Sequence, residues 1–493
     1  MSKWSIEITD FLGGFAPETN DSANSGYGNK NQSSDMVGID LSDPNHLVPG
    51  PKLAAMTNGT QAGAVTTLIK SILDNAVSAD TTYGTGGDKL YKLAADSVTN
   101  AGIWPHTINK GAVTGEDGED VVNYKGAIYY LYNHSGSAGD IGKYDLNVTF
   151  DDDWGSTVPS GAAALTSNPH PVANGGNDTF AFGNGRYVGT YDGTTLQTQA
   201  LDLPEGFVVV AIQWLNEKWW ISANRPNLTG ANQNTSSIFI WDGTTDSWEV
   251  EIPTKGTCGG SYVKNGVFFQ FYQPVRNENE DAFVKLGYIN GGIMADVFDY
   301  PGSLPSYYQI TEFRNFIAWN ADGSHYMWGT GAPALPTRIF RIWGEGNQGT
   351  TGAYAAPFGT PMAASNITTS YTLATYDITL FTTVASWTSL TFDITGPGRE
   401  SKIDSVRVNF EPLSTGAAVY FKLYSLTSEA LETPIFEETI STAKLGANVT
   451  SVYYPFNGKA TENFFFKFDY SAMSAASENA VRIRSVKIYG SRD

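Results

Sequence analysis

The chain has 493 residues, and its 50 acidic and 30 basic side chains give a formal net charge of −20. This charge argues against a protein that binds nucleic acid nonspecifically through excess cations, and against a polybasic membrane-surface protein. Only 16% of the residues are charged, whereas 52 are glycine and 13% are aromatic, a composition typical of short β-strands joined by tight turns.

The first 50 residues form a distinct segment. Trp4, Ile6, Ile8, Phe11 and Phe15 give an apolar, partly alternating start, and residues 18–35 are then rich in Asn, Ser, Gly and Asp. Such a polar stretch cannot bury enough apolar surface to order itself. We predict an N-terminal arm and polar linker over residues 1–50, whose five apolar side chains dock on a neighbouring subunit. A tail packed on its own chain is the alternative.

No export or membrane signal is expected. The N-terminus lacks a basic region followed by an apolar stretch. The longest apolar run, Phe207 to Ile212, has six residues, far fewer than the roughly 20 that a membrane helix needs.

A polar turn followed by an aromatic-rich strand recurs along the chain. It occurs near residues 125, 216, 265 and 314, and the last three are 49 residues apart. The motif Asp-Gly-Thr-Thr also recurs, at Asp192–Thr195 and Asp242–Thr245, each after an alternating run. Asp-Gly in that position predicts a hairpin turn, because both central residues of such turns favour positive φ.

Amphipathic strands lie about 20 residues beyond several of these turns, at 89–93, 141–146, 283–289 and 338–343. Together with the Asp-Gly strands they define six units between about residues 52 and 360. A seventh unit would combine residues 352–380 with a strand near the N-terminus. Val65–Val77 could be a helix by its spacing, but its β-branched content favours a strand.

A period of about 50 residues with four short strands per unit is typical of β-propeller blades. We therefore predict an all-β protein with a six- or seven-bladed β-propeller over residues 51–385. An irregular β-rich protein with coincidental spacing is the alternative.

The pattern changes after residue 385. Long alternating strands, such as Ile403–Asn409 and Phe464–Phe468, are separated by turn clusters such as Gly396–Gly398. Seven or eight strands in about 105 residues predict a C-terminal jelly-roll-like β-sandwich over residues 386–493.

Catalytic motifs are hard to find. No two of the five histidines have metal-ligand spacing, and His106 and His170 lie beside prolines, where we expect loops. Neither a nucleophile elbow nor a phosphate-binding loop is present. Cys258, the single cysteine, has no histidine nearby in the sequence, so we expect a buried structural thiol. We predict no catalytic, cofactor-binding or metal-binding residue.

Two acidic clusters stand out, Glu116–Asp120 and Asp151–Asp153. Their carboxylates could ligate Ca²⁺, but neither cluster has the alternate spacing of a calcium loop. We expect solvated acidic loops.

Three stretches resemble virion structural proteins of tailed bacteriophages: Leu12–Pro17, Asp43–Gly50 and Thr82–Leu93. The resemblance covers about a quarter of the chain. It implies an N-terminal arm leading into a propeller, and copies that assemble in a ring or attach to the tail. It also implies assembly in the host cytoplasm and localisation in the virion.

The sequence therefore predicts a non-enzymatic structural component of a phage tail, in the tube, nozzle or fibre attachment, without cofactors. The expected partners are other virion proteins and copies of itself, with a surface glycan as a further candidate, and without membrane insertion or nucleic-acid sequence recognition. The alternative is a secreted propeller that binds or cleaves carbohydrate, with the sandwich as a binding module.

Overall fold

A computed structural model provides the structure of the chain. The residues that it describes are 2–9, 11, 33–40, 46–61, 67–74, 79–94, 103–109, 115–135, 137–147, 149–157, 165–166, 169–225, 235–254, 256–274, 283–301, 303–313, 316–321, 324–329, 338–343, 354–355, 362–367, 370–381, 385–393, 401–425, 433–461, 463–473 and 479–492.

The protein is all-β, as predicted. Within the described ranges, helical structure is limited to the short helices Trp154–Thr157 and Thr442–Leu445 and the 3₁₀ turns Tyr307–Gln309 and Tyr470–Ala472. None of these helices has the length and apolarity to cross a membrane.

Seven four-stranded sheets occupy residues 51–381, and we number them sheet 1 to sheet 7. Sheets 1 to 4 consist, in order, of Thr67–Asp74, Ala79–Gly86, Lys89–Ala94 and Ile103–Thr107; Glu116–Tyr124, Ala127–His134, Ser137–Tyr144 and Phe150–Asp151; Val172–Asn174, Phe180–Asn184, Tyr187–Tyr191 and Leu196–Asp202; and Val208–Leu215, Lys218–Arg225, Thr235–Trp241 and Val250–Thr254. Sheets 5 to 7 consist of Gly256–Lys264, Val267–Pro274, Phe283–Asn290 and Ile293–Pro301; Ile310–Phe313, Phe316–Ala321, Ser324–Gly329 and Arg338–Trp343; and Tyr354–Ala355, Met362–Ile367, Ser370–Phe381 and Pro51–Gln61.

The predicted polar turns join the first and second strands of their sheets. Lys125 and Gly126 have φ values of 45° and 74°, and Asn265 and Gly266 have 51° and 74°. Two successive residues with positive φ give a turn whose twist matches that of the flanking antiparallel strands. The turn at Asn216 has the same form, and the predicted turn at residues 314–315 lies outside the described residues.

The two Asp-Gly turns join third and fourth strands, as hairpins, but by a different mechanism from the one predicted. Only the glycines, Gly193 and Gly243, have positive φ. In each turn the aspartate side chain accepts backbone hydrogen bonds, so that Asp192 Oδ1 lies 2.7 Å from the amide nitrogens of both Thr194 and Thr195. The carboxylate therefore fixes the turn, as side chains of Asp and Asn commonly do.

The aromatic-rich segments are the second strands of sheets 2, 4, 5 and 6, and Val65–Val77 contains a strand as predicted, Thr67–Asp74. The amphipathic segments are third strands in sheets 1, 2 and 5. Arg338–Trp343 is instead the fourth strand of sheet 6, where Ser324–Gly329 is the third. The predicted strand at residues 338–343 is therefore confirmed.

Contacts between the first strands of sheets 1 to 7 form a closed cycle. The first strand of each sheet contacts the first strand of the next sheet along the chain. The first strand of sheet 7, Tyr354–Ala355, contacts both Ile310–Phe313 of sheet 6 and Thr67–Asp74 of sheet 1. Sheet 7 also unites the two regions that the sequence placed together, since Ser370–Phe381 pairs with Pro51–Gln61.

Large apolar side chains fill the space between neighbouring sheets. Tyr124 and Tyr129 of sheet 2 pack against Phe180 and Tyr191 of sheet 3, with ring centroids 5.2 to 5.7 Å apart. Rings at this separation in edge-on or tilted arrangements add to the free energy gained from burial.

The described residues divide into two compact units. The first comprises Met1–Ala54, Ser324–Glu345 and Tyr376–Asp493, and the second comprises Ala55–Gly323 and Gly346–Thr375.

Two larger sheets lie in the first unit. The four-stranded terminal sheet has the order Ser2–Ile8, Ile483–Arg492, Ser401–Phe410 and Ser451–Thr461. The six-stranded sheet has the order Ser33–Val37, Ser386–Ser389, Asn463–Asp469, Ala418–Ser425 and Phe436–Ser441, with Phe392–Asp393 also paired to Asn463–Asp469.

Alternation along these strands separates a buried face from a more exposed one. Phe464, Phe466 and Phe468 are buried, whereas Phe465 and Lys467 between them are half-buried. Rings of the two sheets meet on the buried side: the Trp4 and Phe464 ring centroids are 6.2 Å apart, and those of Phe421 and Tyr454 are 6.4 Å apart.

Candidate functional site

The acidic cluster at residues 116–120 lies on the first strand of sheet 2, and the prediction of a solvated loop is wrong. Glu116 and Asp120 are each only 7% exposed. Burial was not foreseen because the run Glu-Asp-Gly-Glu-Asp lacks the apolar alternation by which strands are recognised.

A β-bulge places Glu119 out of the regular ladder. Gly118 pairs with Tyr132 and Asp120 with Leu131, so that Glu119 is the extra residue. Bulges redirect a side chain and are common beside functional sites. The first strands of sheets 1, 4 and 5 also carry a register shift, so the bulge belongs to the repeated architecture, and sheet 2 places a carboxylate there.

Glu119 has a strongly perturbed acidity. Burial raises the pKa of its carboxyl group to about 7, although a hydrogen bond from Asn133 works in the opposite direction, and the charge of Asp117 adds to the rise. Asn133 Nδ2 donates to Glu119 Oε1 at 2.7 Å. Asp117 is more exposed than Glu119, but partial desolvation of its carboxyl group still raises its pKa. Two carboxyl groups with raised proton affinity therefore lie two residues apart on one strand.

The segment before sheet 6 also reaches this strand. Tyr307, in the 3₁₀ turn Tyr307–Gln309, donates its hydroxyl to the backbone oxygen of Glu119 at 3.2 Å. The same turn contacts the first strands of sheets 1, 5 and 7. Glu119 thus lies where several first strands of the cycle converge.

Asp120 links sheet 2 to sheet 3. Its two carboxylate oxygens accept hydrogen bonds from the amides of Val121 and Val172, both at 2.8 Å. Burial raises its pKa well above the usual value despite these bonds. Glu116 lies 3.9 Å from the ring nitrogen of His134, and both side chains are 3% exposed. These carboxyl groups contact protein rather than solvent.

The second acidic cluster, Asp151–Asp153, is also partly ordered into the sheet, so its assignment to a solvated loop is wrong. Phe150–Asp151 is the fourth strand of sheet 2. Asp152 contacts His106 of sheet 1 at 2.9 Å and accepts a hydrogen bond from Tyr130. Burial works against its ionisation, but these hydrogen bonds outweigh it and lower the pKa of Asp152.

The prediction of a loop is wrong for His106, which lies on a strand, and confirmed for His170, which lies outside the strands; both side chains contact protein. His106 lies on the strand Ile103–Thr107 and stacks on Phe150 at a centroid distance of 3.9 Å. His170 is completely buried, and its two ring nitrogens contact the Gly183 carbonyl oxygen at 2.8 Å and Asn133 Oδ1 at 3.0 Å. Burial lowers the pKa of His170.

The remaining ionisable candidates belong to other elements. His46 contacts Glu411 in the first unit at 2.8 Å. Cys258 is buried, as predicted, and burial raises the pKa of its thiol to about 12. His325 lies on the strand Ser324–Gly329.

The predicted assembly residues lie within the first unit. The strand Ser2–Ile8 pairs antiparallel with Ile483–Arg492 in a seven-residue register. Ile8 and Phe11 are 1% and 2% exposed, and Phe11 contacts Trp387 edge-on at 5.2 Å. Trp4 and Ile6 are half-buried, and Phe15 lies outside the described residues. Docking of this segment on another subunit stays a prediction.

Within the described ranges no group of three or more His, Cys, Asp or Glu side chains is arranged to hold a metal ion. The sequence pointed to residues 116–120 but not to Asn133 or His170 as their partners. His170 lies 51 residues after Glu119, about one repeat further along the chain, and therefore beside the next sheet. The link between the two residues through Asn133 depends on how sheets 2 and 3 pack, which the spacing in the sequence does not show.

No known protein family and no curated protein matches the chain. Solved structures to which the chain is similar include the extracellular domains 1–2 of Drosophila Semaphorin 1a, at 7% identity and a TM-score of 0.42, covering 66% of this chain and 88% of that one. They also include the β-propeller domain of the Trilobed protease from Pyrococcus furiosus, at 10% identity and a TM-score of 0.39, covering 64% and 96%.

An exo-β-1,3-galactanase from Phanerochaete chrysosporium is similar at 9% identity and a TM-score of 0.28, covering 66% of this chain and 97% of that one. At these sequence identities and TM-scores, the similarities do not indicate what this protein does.

Proposed function

We propose that sheets 1 to 7 form a seven-bladed β-propeller and that the four-stranded terminal sheet and the six-stranded sheet form a β-sandwich. The closed cycle of first strands supports the propeller, since each blade then buries its faces against two neighbours. The aromatic contacts between Trp4 and Phe464, and between Phe421 and Tyr454, support the sandwich.

We propose that the protein is a non-enzymatic structural component of a tailed-phage virion, in the tail region. The structural role is supported by one observation: polar side chains form hydrogen bonds between neighbouring sheets. Asp120 joins sheet 2 to sheet 3, and Asp152 and His106 join sheet 1 to sheet 2.

Sheets 4 and 5 are joined in the same way. Ser222 bonds to Gln270 at 2.5 Å, and both side chains are fully buried. Asn224 exchanges two hydrogen bonds of 2.8 Å with the backbone of Cys258. Satisfied buried polar networks make a scaffold rigid and unique, which suits a part of a large assembly. The resemblance to phage virion proteins supports the location.

Purified particles test the proposal. The chain should be present in a fixed ratio to a known tail protein after gradient purification, and antibodies against it should label one site on every particle. A chain that is absent from particles, or present in a ratio that changes between preparations, would contradict the virion role.

Glu119 and Asp117 favour carbohydrate cleavage as a second candidate function. A glycosidase needs one carboxyl group that is protonated near neutral pH and a second carboxylate close by, and the pKa of Glu119 is about 7. We would assay the full chain on bacterial surface polysaccharides at pH 5 to 8. Cleavage that disappears in Glu119→Gln and in Asp117→Asn, but persists in Glu205→Gln, would establish the enzyme and refute the non-enzymatic role.

A further inference from the structure

We propose that Glu119, Asn133 and His170 form one hydrogen-bonded unit in which the protonation of Glu119 and that of His170 are coupled through the Asn133 amide. The unit joins sheet 2 to sheet 3. It does not depend on either proposed function.

The three side chains come from successive parts of the fold. Glu119 is the bulged residue on the first strand of sheet 2, Asn133 lies on the second strand, and His170 precedes the first strand of sheet 3. Asn133 lies 2.7 Å from Glu119 Oε1 and 3.0 Å from His170 Nε2. The unit therefore runs from a half-buried carboxyl group to a completely buried imidazole.

The donor and acceptor roles of each group restrict the protonation states that the unit can adopt. The Gly183 carbonyl oxygen can only accept, so His170 Nδ1, 2.8 Å away, carries a proton. The amide of Asn133 offers one donor end and one acceptor end, and its orientation follows from its partners. If its NH₂ group donates to Glu119, its oxygen faces His170 Nε2, which must then also carry a proton.

The reversed amide has the opposite requirement. Its NH₂ group donates to the lone pair of a neutral His170, and its oxygen then needs a protonated Glu119 as donor. One combination satisfies neither orientation, namely an ionised Glu119 with a neutral His170, because an acceptor then faces another acceptor. If the proton of Glu119 passes to His170 Nε2 and the amide reverses, both hydrogen bonds are kept and the unit loses no proton. If the proton leaves to solvent, as it does when the pH rises, one hydrogen bond of the unit must break. The amide that then donates to the ionised Glu119 no longer donates to His170 Nε2.

Burial favours the neutral forms of both Glu119 and His170, and this pair requires the reversed amide of Asn133. Burial raises the pKa of Glu119 to about 7, with Asp117 adding to the rise. Burial lowers the pKa of His170, against hydrogen bonds to the backbone of Gly183 and Thr166. In the described part of the chain, other charged or titratable groups near the unit include Glu116, Asp120 and His134 of sheet 2 and Tyr307.

Selective ¹⁵N labelling of histidine in the full chain can test the coupling, since there are only five histidines. The His170 signals are assigned with His170→Gln, and Glu119 is followed by its ¹³C-labelled carboxyl group. Between pH 5 and 9, the His170 Nε2 signal should shift with the same midpoint as the ionisation of Glu119.

Glu119→Gln should remove that shift, because a glutamine can donate permanently to the reversed amide. Asp117→Asn is the matched control: it removes the same charge from the same strand and should keep the shift. Asn133→Ala should abolish the shift while Glu119 still ionises, which keeps the test decisive if Glu119→Gln fails to fold. A His170 signal that stays constant while Glu119 ionises, or a shift that survives in Glu119→Gln, would overturn the proposal.

Discussion

Glu119 illustrates how one carboxyl group can set the pH dependence of stability. Its pKa rises from 4.5 to about 7 on folding, so the folded state binds its proton more tightly than the unfolded state does. The contribution of Glu119 to stability is then largest below pH 4.5 and falls as the pH rises towards 7.

We predict that the wild-type chain loses about 3 kcal/mol of unfolding free energy between pH 4.5 and 8 through this group, and that Glu119→Gln removes most of this loss. Urea unfolding at both pH values measures it. Glu205→Gln, at an exposed position, is the control with the same charge change. Equal pH dependence in wild type and Glu119→Gln would show that burial of Glu119 has no energetic effect.

Substitutions of Asp120 can distinguish the stabilising effect of its hydrogen-bond acceptors from the destabilising effect of its buried charge. Replacing it with alanine leaves the buried Val121 and the half-buried Val172 without these acceptors for their amides, and we expect a loss of about 3 kcal/mol. An asparagine side chain would keep one of the two acceptors without a charge but would turn its NH₂ group towards the other amide. Asp120→Asn should therefore lose less stability than Asp120→Ala at pH 8. Thermal unfolding of both variants compares them, and identical losses would contradict this account.

At the scale of elements, the N-terminal strand is an integral part of the first unit. Phe11 is 2% exposed against Trp387. We predict that Phe11→Ala destabilises the full chain by about 3 kcal/mol, measured by unfolding monitored through tryptophan fluorescence. Lys3→Ala, at an exposed position of the same segment, should change stability little. A stable Phe11→Ala variant that no longer enters particles would instead favour docking of the arm on another subunit.

The sequence predicted elements better than it predicted their partners. Alternation and turn residues are local, so the strands around Lys125, Asn216 and Asn265 could be recognised from a few residues each. Pairing of Ser2–Ile8 with Ile483–Arg492 joins segments nearly 480 residues apart, and no local pattern encodes it. The raised pKa of Glu119 could not be predicted for a related reason, since it depends on burial between sheets and on the hydrogen bond from Asn133.

At the scale of the whole molecule, sheet 7 closes the cycle with strands from two distant regions. The amides of Pro51–Gln61 alternate in direction, so either Met56 or Thr57 points its amide towards Ser370–Phe381. We predict that at least one of Met56→Pro and Thr57→Pro speeds hydrogen exchange in sheets 1 and 6 as well as in sheet 7, because proline removes a ladder hydrogen bond.

Mass spectrometry of peptides would resolve the exchange by sheet. Thr57→Val, which keeps the amide and a β-branched side chain, is the control. Faster exchange confined to the strands of sheet 7 would show that the cycle does not depend on this closure.

Of the two long-range strand pairings, one lies inside the other along the chain, and both must form late during synthesis on the ribosome. Pro51–Gln61 must wait for Ser370–Phe381, and Ser2–Ile8 must wait longer still for Ile483–Arg492. At roughly 5 to 20 residues per second, the first strand remains without its partner for about half a minute or more. During that time its open edge can pair with another nascent chain. Translation on crowded polysomes should therefore favour aggregation, and slower initiation or a bound chaperone should raise the yield of folded protein.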